Sequence, residues 1–346
     1  AYAPGNPIFA VSADDHLTAS SAADLLVFAQ PIANDTVHNF DAAADKIDLI
    51  GFTGVSGFAD LSISDDASGN AVITLANGST ITVLGVHAAD LGAGNFEFNV
   101  EPVTVNAGTM TIADGAILPL GGVIENSGTI VLGSTGSETD LQILVESVTL
   151  RGGGHVLLSD DGSNVIFGGA ASATLINMDN TISGAGQIGA GQMTLVNAGT
   201  IVADGLNALV IDTGSMVVGN SGTLAATGSG GLVVAGALAN TGELSVAGGS
   251  LSIHGTVSGH GSATIGNAGV LDFDAGSDAN VGFAGNAAGT LRLDDSAHFS
   301  GTVAALTSDD TLVFGDIDAG ASVAYTANAS GTAGRLSICS SLKPNL

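Results

Sequence analysis

Three sets of residues in this chain have types and spacings that chemistry uses. His254 and Asp274 stand 20 residues apart, with Ser252 just ahead of the histidine. A hydroxyl nucleophile, an imidazole base and a carboxylate to orient that base make a hydrolytic triad, and an esterase is the reaction they would serve. Arg292 is near Asp294 and Asp295 in the sequence, and one repeat away from Asp272 and Asp274. A basic side chain beside carboxylates that hold Ca²⁺ is the equipment of a polysaccharide lyase. The third set, Asp14, Asp15 and Asp24, falls in turn-like sequence and offers oxygen ligands for Ca²⁺.

Each set has a plainer reading that the rest of the sequence favours. The nucleophile elbow G-x-S-x-G is absent, so the hydrolase reading rests on residues assembled across repeats. Histidines at H-x-x-x-H or H-E-x-x-H spacing are also absent, and zinc is not expected. Trp is missing and aromatics make up 4% of the chain, which leaves little to stack on a sugar ring. The Asp pairs, among them Asp14-Asp15, Asp65-Asp66 and Asp294-Asp295, suit Asx-type turns before they suit a metal. The balance leans away from an enzyme.

The elements that must position these residues are repeats. Asn106, Asn126, Asn197, Asn220, Asn240 and Asn267 each open a motif of Asn, a small residue, Gly, a variable residue and an aliphatic or Met, with neighbouring copies 20 to 27 residues apart where they are regular. The segment Asn177–Ile182 (NMDNTI) reads as a degraded copy. A fixed period of this length signals a solenoid. After each corner comes a short alternating run such as Thr200-Ile201-Val202-Ala203, the period of a half-buried strand. Glycine at the corner is expected to adopt the left-handed backbone, and stacked Asn residues are expected to form an amide ladder at about 4.8 Å spacing.

Composition narrows the partners. Five basic residues against 33 acidic ones give a net charge of −28, which repels nucleic acid and anionic membrane. One cysteine, Cys339, cannot form an internal disulfide, so stability must come from the stack. The sequence predicts no membrane span and shows no signal peptide. These features suit a secreted or surface protein with an extracellular glycan or cell surface as its partner.

Residues 1–100 differ in texture from the repeats. The runs Ala23-Asp24-Leu25-Leu26-Val27-Phe28, Asn34-Asp35-Thr36-Val37-His38-Asn39-Phe40 and Asp45-Lys46-Ile47-Asp48-Leu49, followed by Ser79–Leu84 and Phe96-Glu97-Phe98, resemble the terminal β-roll module of type I secreted, RTX-type bacterial proteins. The resemblance implies a secretion address, a β-roll and a taste for calcium. The glycines of the Ca²⁺-binding nonapeptide are replaced here, while Asp14, Asp15 and Asp24 keep acidic positions. With about 240 residues following it, the module is expected to act as a cap or linker. The repeats of residues 101–310 are similar to the Gly-rich repeats of bacterial autotransporter passengers and adhesin-type surface proteins, and residues 311–346 read as terminal strands and an irregular tail. The expected fold is all-β: a right-handed parallel β-helix behind a small β-roll-like module. The expected role is structural or adhesive, with a secreted esterase or polysaccharide lyase as the alternative.

Overall fold

A computed structural model describes residues 5–29, 32–144, 147–170, 173–285, 288–330 and 332–339. The chain is all-β, a parallel β-solenoid of about 14 turns with strand over 49% of its residues. The helical pieces among the described residues are single 3₁₀ turns, such as Phe58–Asp60 and Ser296–His298. No described helix is long and apolar enough to cross a membrane.

From Val103 onward each turn contributes up to three short strands, one to each of three parallel sheets. The first face begins with Val103–Asn106 and holds eight strands; the second begins with Thr109–Ala113 and the third with Ile117–Leu120, and each holds ten. Alternation sends every second side chain inward. In one turn Leu195, Ile201, Ala203, Leu209 and Ile211 are all fully buried, and in the next Val218, Leu224, Ala226, Leu232 and Val234 take the same places. Each inward aliphatic is worth about 1.5–3 kcal/mol, so branched side chains stacked like for like hold most of the column, and Phe273 and Phe283 join the core in its last turns.

The corner between the first and second faces carries the amide ladder. Asn177 donates through Nδ2 to Asn197 Oδ1 at 2.8 Å, Asn197 to Asn220 at 2.8 Å and Asn220 to Asn240 at 2.7 Å, with all four residues buried. Asn106 donates to Asn126 in the same way at 2.8 Å. Between these two runs one turn has Arg151-Gly152-Gly153-Gly154 at its corner and no Asn. Asn180, the second Asn of the NMDNTI segment, fills the gap: its Oδ1 accepts from Asn126 Nδ2 at 2.8 Å. The segment is the degraded corner that the sequence marks, lengthened by one residue: Asn177 stands in register with Asn197, and Asn180 supplies the rung missing above Asn126.

Two sequence expectations change here. The glycines of the corner motif, Gly222 and Gly242, are not among the left-handed residues. Close packing excludes a side chain instead: a Cβ at 222 would overlap the Gly199 carbonyl oxygen, and one at 242 would overlap that of Gly222. Asn267 does not belong to the ladder. It lies between Ser262–Gly266 on the second face and Val270–Phe273 on the third, at a different corner, where Asn267 and Ala268 do take left-handed φ of 52° and 60°. The place in register with Asn240 falls one residue after Ser258, at Gly259, which explains the anomalous step of 27 residues.

The N-terminal segment is a two-sheet parallel roll. Strands 8–9, 25–29, 46–50 and 96–98 form one sheet, and 16–18, 34–38 and 80–83 the other, extended by the antiparallel strands 71–74 and 62–65. Its own core is built on Leu26, Phe28, Val37, Ile47, Leu49, Ile73 and Ile81. The first sheet is buried on both faces, because Val27 and Asp48, which point away from that core, are also closed to solvent. That outer face lies on the first turn of the solenoid. Phe9 packs on the solenoid core, and the side chain of Asn6 bonds to the backbone of Val105.

At the other end, strands Ser322–Ala327 and Gly334–Cys339 form an exposed antiparallel hairpin that joins no other sheet among the described residues. Cys339 is exposed and free. The tail from 340 lies outside the described residues.

Candidate functional site

Stacking does bring His254 and Asp274 together. Ile253 and Phe273 are in register on the third face, so the residues after them emerge one above the other, with His254 Nε2 3.8 Å from Asp274 Oδ2. That separation is an ion-pair distance beyond hydrogen-bond range. Ser252 sits on the outward side of its strand opposite Asp272, and among the described residues its hydroxyl makes no hydrogen bond to His254 or Asp274. Imidazole and carboxylate are thus neighbours while the nucleophile stands apart from both.

The second constellation is tighter. Asp272, Asp274 and Asp294 each bring a carboxylate oxygen within 4.8 Å of the others. Arg292, directly above Asp272 in the ladder, inserts its guanidinium among them: Nη2 is 2.9 Å from Asp294 Oδ1, and Nε is 3.6 Å from Asp272 Oδ1. Partial burial, followed by the charges of Asp274 and Asp294, raises the Asp272 carboxyl above its ordinary range, against the pull of Arg292. The bond to Asp294 in turn makes Arg292 hold its proton more tightly than usual. A guanidinium locked in this way is a counter-ion for three carboxylates and a poor proton acceptor. The backbone closes over it, since a Cβ on Gly315 would overlap Asp294 Oδ1.

The N-terminal aspartates are placed apart from this cluster. Asp15 accepts through Oδ2 from the amides of Val11 and Ser12, and through Oδ1 from the Ser12 hydroxyl. Desolvation works to raise its carboxyl, but the Ser12 and Val11 bonds prevail and hold it below the ordinary range. Asp24 accepts from the Ser20 amide and hydroxyl, and its own amide donates to Asp45 Oδ1 at 2.9 Å. Asp14 is exposed and receives the side-chain amide of Asn34 at 3.3 Å. Asp15 and Asp24 open different corners of the roll, each closing its own loop by a carboxylate reaching back four residues.

A cavity of about 250 Å³ lies far along the chain from both constellations, between the roll and the solenoid. Phe9, Val27 and Ile50 line it from the roll, and Pro102, Gly121 and Leu144 from the solenoid. It is not legible in the sequence, because it is formed by docking two elements with separate patterns. The outward sides of the solenoid faces are mixed, with exposed aliphatics such as Val105, Ile117, Leu157 and Val196 among polar residues. On the second face the register runs Thr109, Thr129, His155, Thr181, Thr200, Thr223, Glu243, Ser262 and Asn280. No protein-family model matches the chain, and neither the curated proteins nor the solved structures hold a significant match.

Proposed function

We propose that this chain is a structural, adhesive rod of the bacterial exterior, one that presents its lateral faces to an extended partner such as a glycan or a cell surface. The observation that carries the reading is the second-face column, where hydroxyl-bearing Thr or Ser recurs from turn to turn with two titratable interruptions, His155 and Glu243. Parallel stacking sets the spacing of such a column at about 4.8 Å. A periodic surface recognises a periodic ligand through many weak contacts, each hydroxyl able both to donate and to accept. Charge supports the same address: a net −28 keeps a long rod soluble and separate from nucleic acid and anionic lipid. The resemblance of residues 1–100 to a type I secretion module supports export.

The test is retention of the purified chain on a panel of insoluble polysaccharides and on whole bacteria, run beside an assay for ester and polysaccharide cleavage. Saturable retention without turnover supports the rod. Turnover that is abolished by His254→Ala or Asp274→Ala would establish the hydrolase reading in its place.

A further inference from the structure

We propose that His16 and His38 form a two-nitrogen chelate for a divalent transition cation of the copper and nickel class, on the outer face of the roll. Strands His16–Thr18 and Asn34–His38 run parallel, with His16 opposite Thr36 and Thr18 opposite His38. The two histidines are therefore diagonal neighbours on one face, while Leu17 and Val37 between them point into the core. His16 Nδ1 lies 3.0 Å from His38 Nε2, and the rings stack with centroids 5.3 Å apart and planes at 29°. Among the described residues this is the one place where two imidazoles meet. His87, His254, His260 and His298 each face a single carboxylate instead.

The nitrogen separation lets one ion reach both rings. Imidazole nitrogens bind such ions at about 2.0 Å, so two of them at a right angle lie roughly 2.8 Å apart, and at the tetrahedral angle roughly 3.3 Å. The observed 3.0 Å, set by a hydrogen bond, falls between the two, and the choice of ion follows from the donors: for imidazole nitrogens Cu²⁺ heads the divalent affinity order, above Ni²⁺ and Zn²⁺. Both side chains stand on paired strands, so little rearrangement is needed: the rings exchange a shared hydrogen bond for a shared ion, and solvent completes the coordination. The surroundings favour a cation. The positive form of His16 is near enough to act on the carboxyls of Asp15 and Asp35, which place negative potential beside the pair.

The test is a titration of the whole chain with Cu²⁺ at pH 7.5, followed by calorimetry and by electron paramagnetic resonance. The expected result is one strong equivalent whose spectrum carries two nitrogen ligands, with Zn²⁺ binding more weakly. His16→Ala and His38→Ala should each weaken that equivalent at least tenfold and leave one nitrogen, while His298→Ala leaves it unchanged. His16→Gln, which keeps a polar partner for His38, serves as the second variant, and melting without metal confirms that each variant is folded. Copper affinity unchanged in the His16 and His38 variants, or a wild-type spectrum with a single nitrogen ligand, overturns the proposal.

Discussion

Asn6 and Val105, 99 residues apart, exchange two hydrogen bonds: Asn6 Nδ2 donates to the Val105 carbonyl at 3.1 Å, and the Val105 amide donates to Asn6 Oδ1 at 2.9 Å. One buried side-chain amide thus imitates, at Val105, the strand that would precede Val103–Asn106 in the first sheet. Asn6→Ala should cost about 1–3 kcal/mol by leaving the Val105 groups unpaired. Amide exchange at Val105 should then quicken while exchange in 223–226, several turns away, is unchanged. Equal acceleration in both places would mean that the roll does not act as a local cap.

Stability should fall as pH rises through the range where Asp35 and Asp48 ionise. Burial, helped by neighbouring charge and only partly offset by backbone amides, pushes each carboxyl up to about 6. Both oxygens of Asp48 and one of Asp35 lack a well-aligned hydrogen-bond partner among the described residues. With folded pKa values above the unfolded 3.8, the native state holds more protons between about pH 4 and 6, so acidification across that window stabilises it. Hydrogen-bonded carboxyls such as Asp15 and Asp66 are held low and act in the opposite sense below their ordinary range. The melting temperature should therefore be higher near pH 5 than at pH 8. Asp48→Asn should flatten this dependence and gain on the order of 1 kcal/mol at pH 8, allowing for solvent screening. An unchanged pH profile in that variant would exclude Asp48 as a source.

The amide ladder should fail unevenly. Asn220→Ala removes a bond on each side of its rung and leaves buried amide groups of Asn197 and Asn240 without their partner, at a cost of about 2–3 kcal/mol. Asn180→Ala should cost a comparable amount although the sequence motif does not mark it, because it alone joins Asn126 to the run that starts at Asn177. Denaturant midpoints of the two variants compare them directly. A neutral Asn180 variant would show that the repaired rung is dispensable.

Gly222→Val and Gly222→Ala should both destabilise strongly, by more than the roughly 1 kcal/mol of an ordinary Gly replacement. The obstacle is the Gly199 carbonyl oxygen, which occupies the space of the new Cβ, and a methyl meets it as surely as an isopropyl group does. A tolerated alanine would mean that neighbouring turns separate easily.

Much of the fold was legible because the solenoid repeats its reasons: a strand period of two and an Asn-x-Gly corner state the same geometry turn after turn. Where the motif is read at face value it also misleads. Asn267 copies the corner sequence at another corner, and Asn180 does a ladder residue's work inside a segment whose motif is degraded and whose first Asn alone is marked by it. The 20-residue step from His254 to Asp274 announced their proximity, since it equals one turn. The meeting of His16 and His38 was not legible, because their 22-residue separation matches no metal motif and depends on the diagonal register of two strands. Nor was the cavity, which needs the roll docked on the solenoid.

The most direct measurement of the central claim is retention on the polysaccharide panel of the wild-type chain against Thr200→Lys/Thr223→Lys, two adjacent rungs of the second face. The account predicts saturable retention that falls at least tenfold in the double variant, with melting unchanged. Retention indifferent to the double variant, or absent from every surface tried, would contradict it.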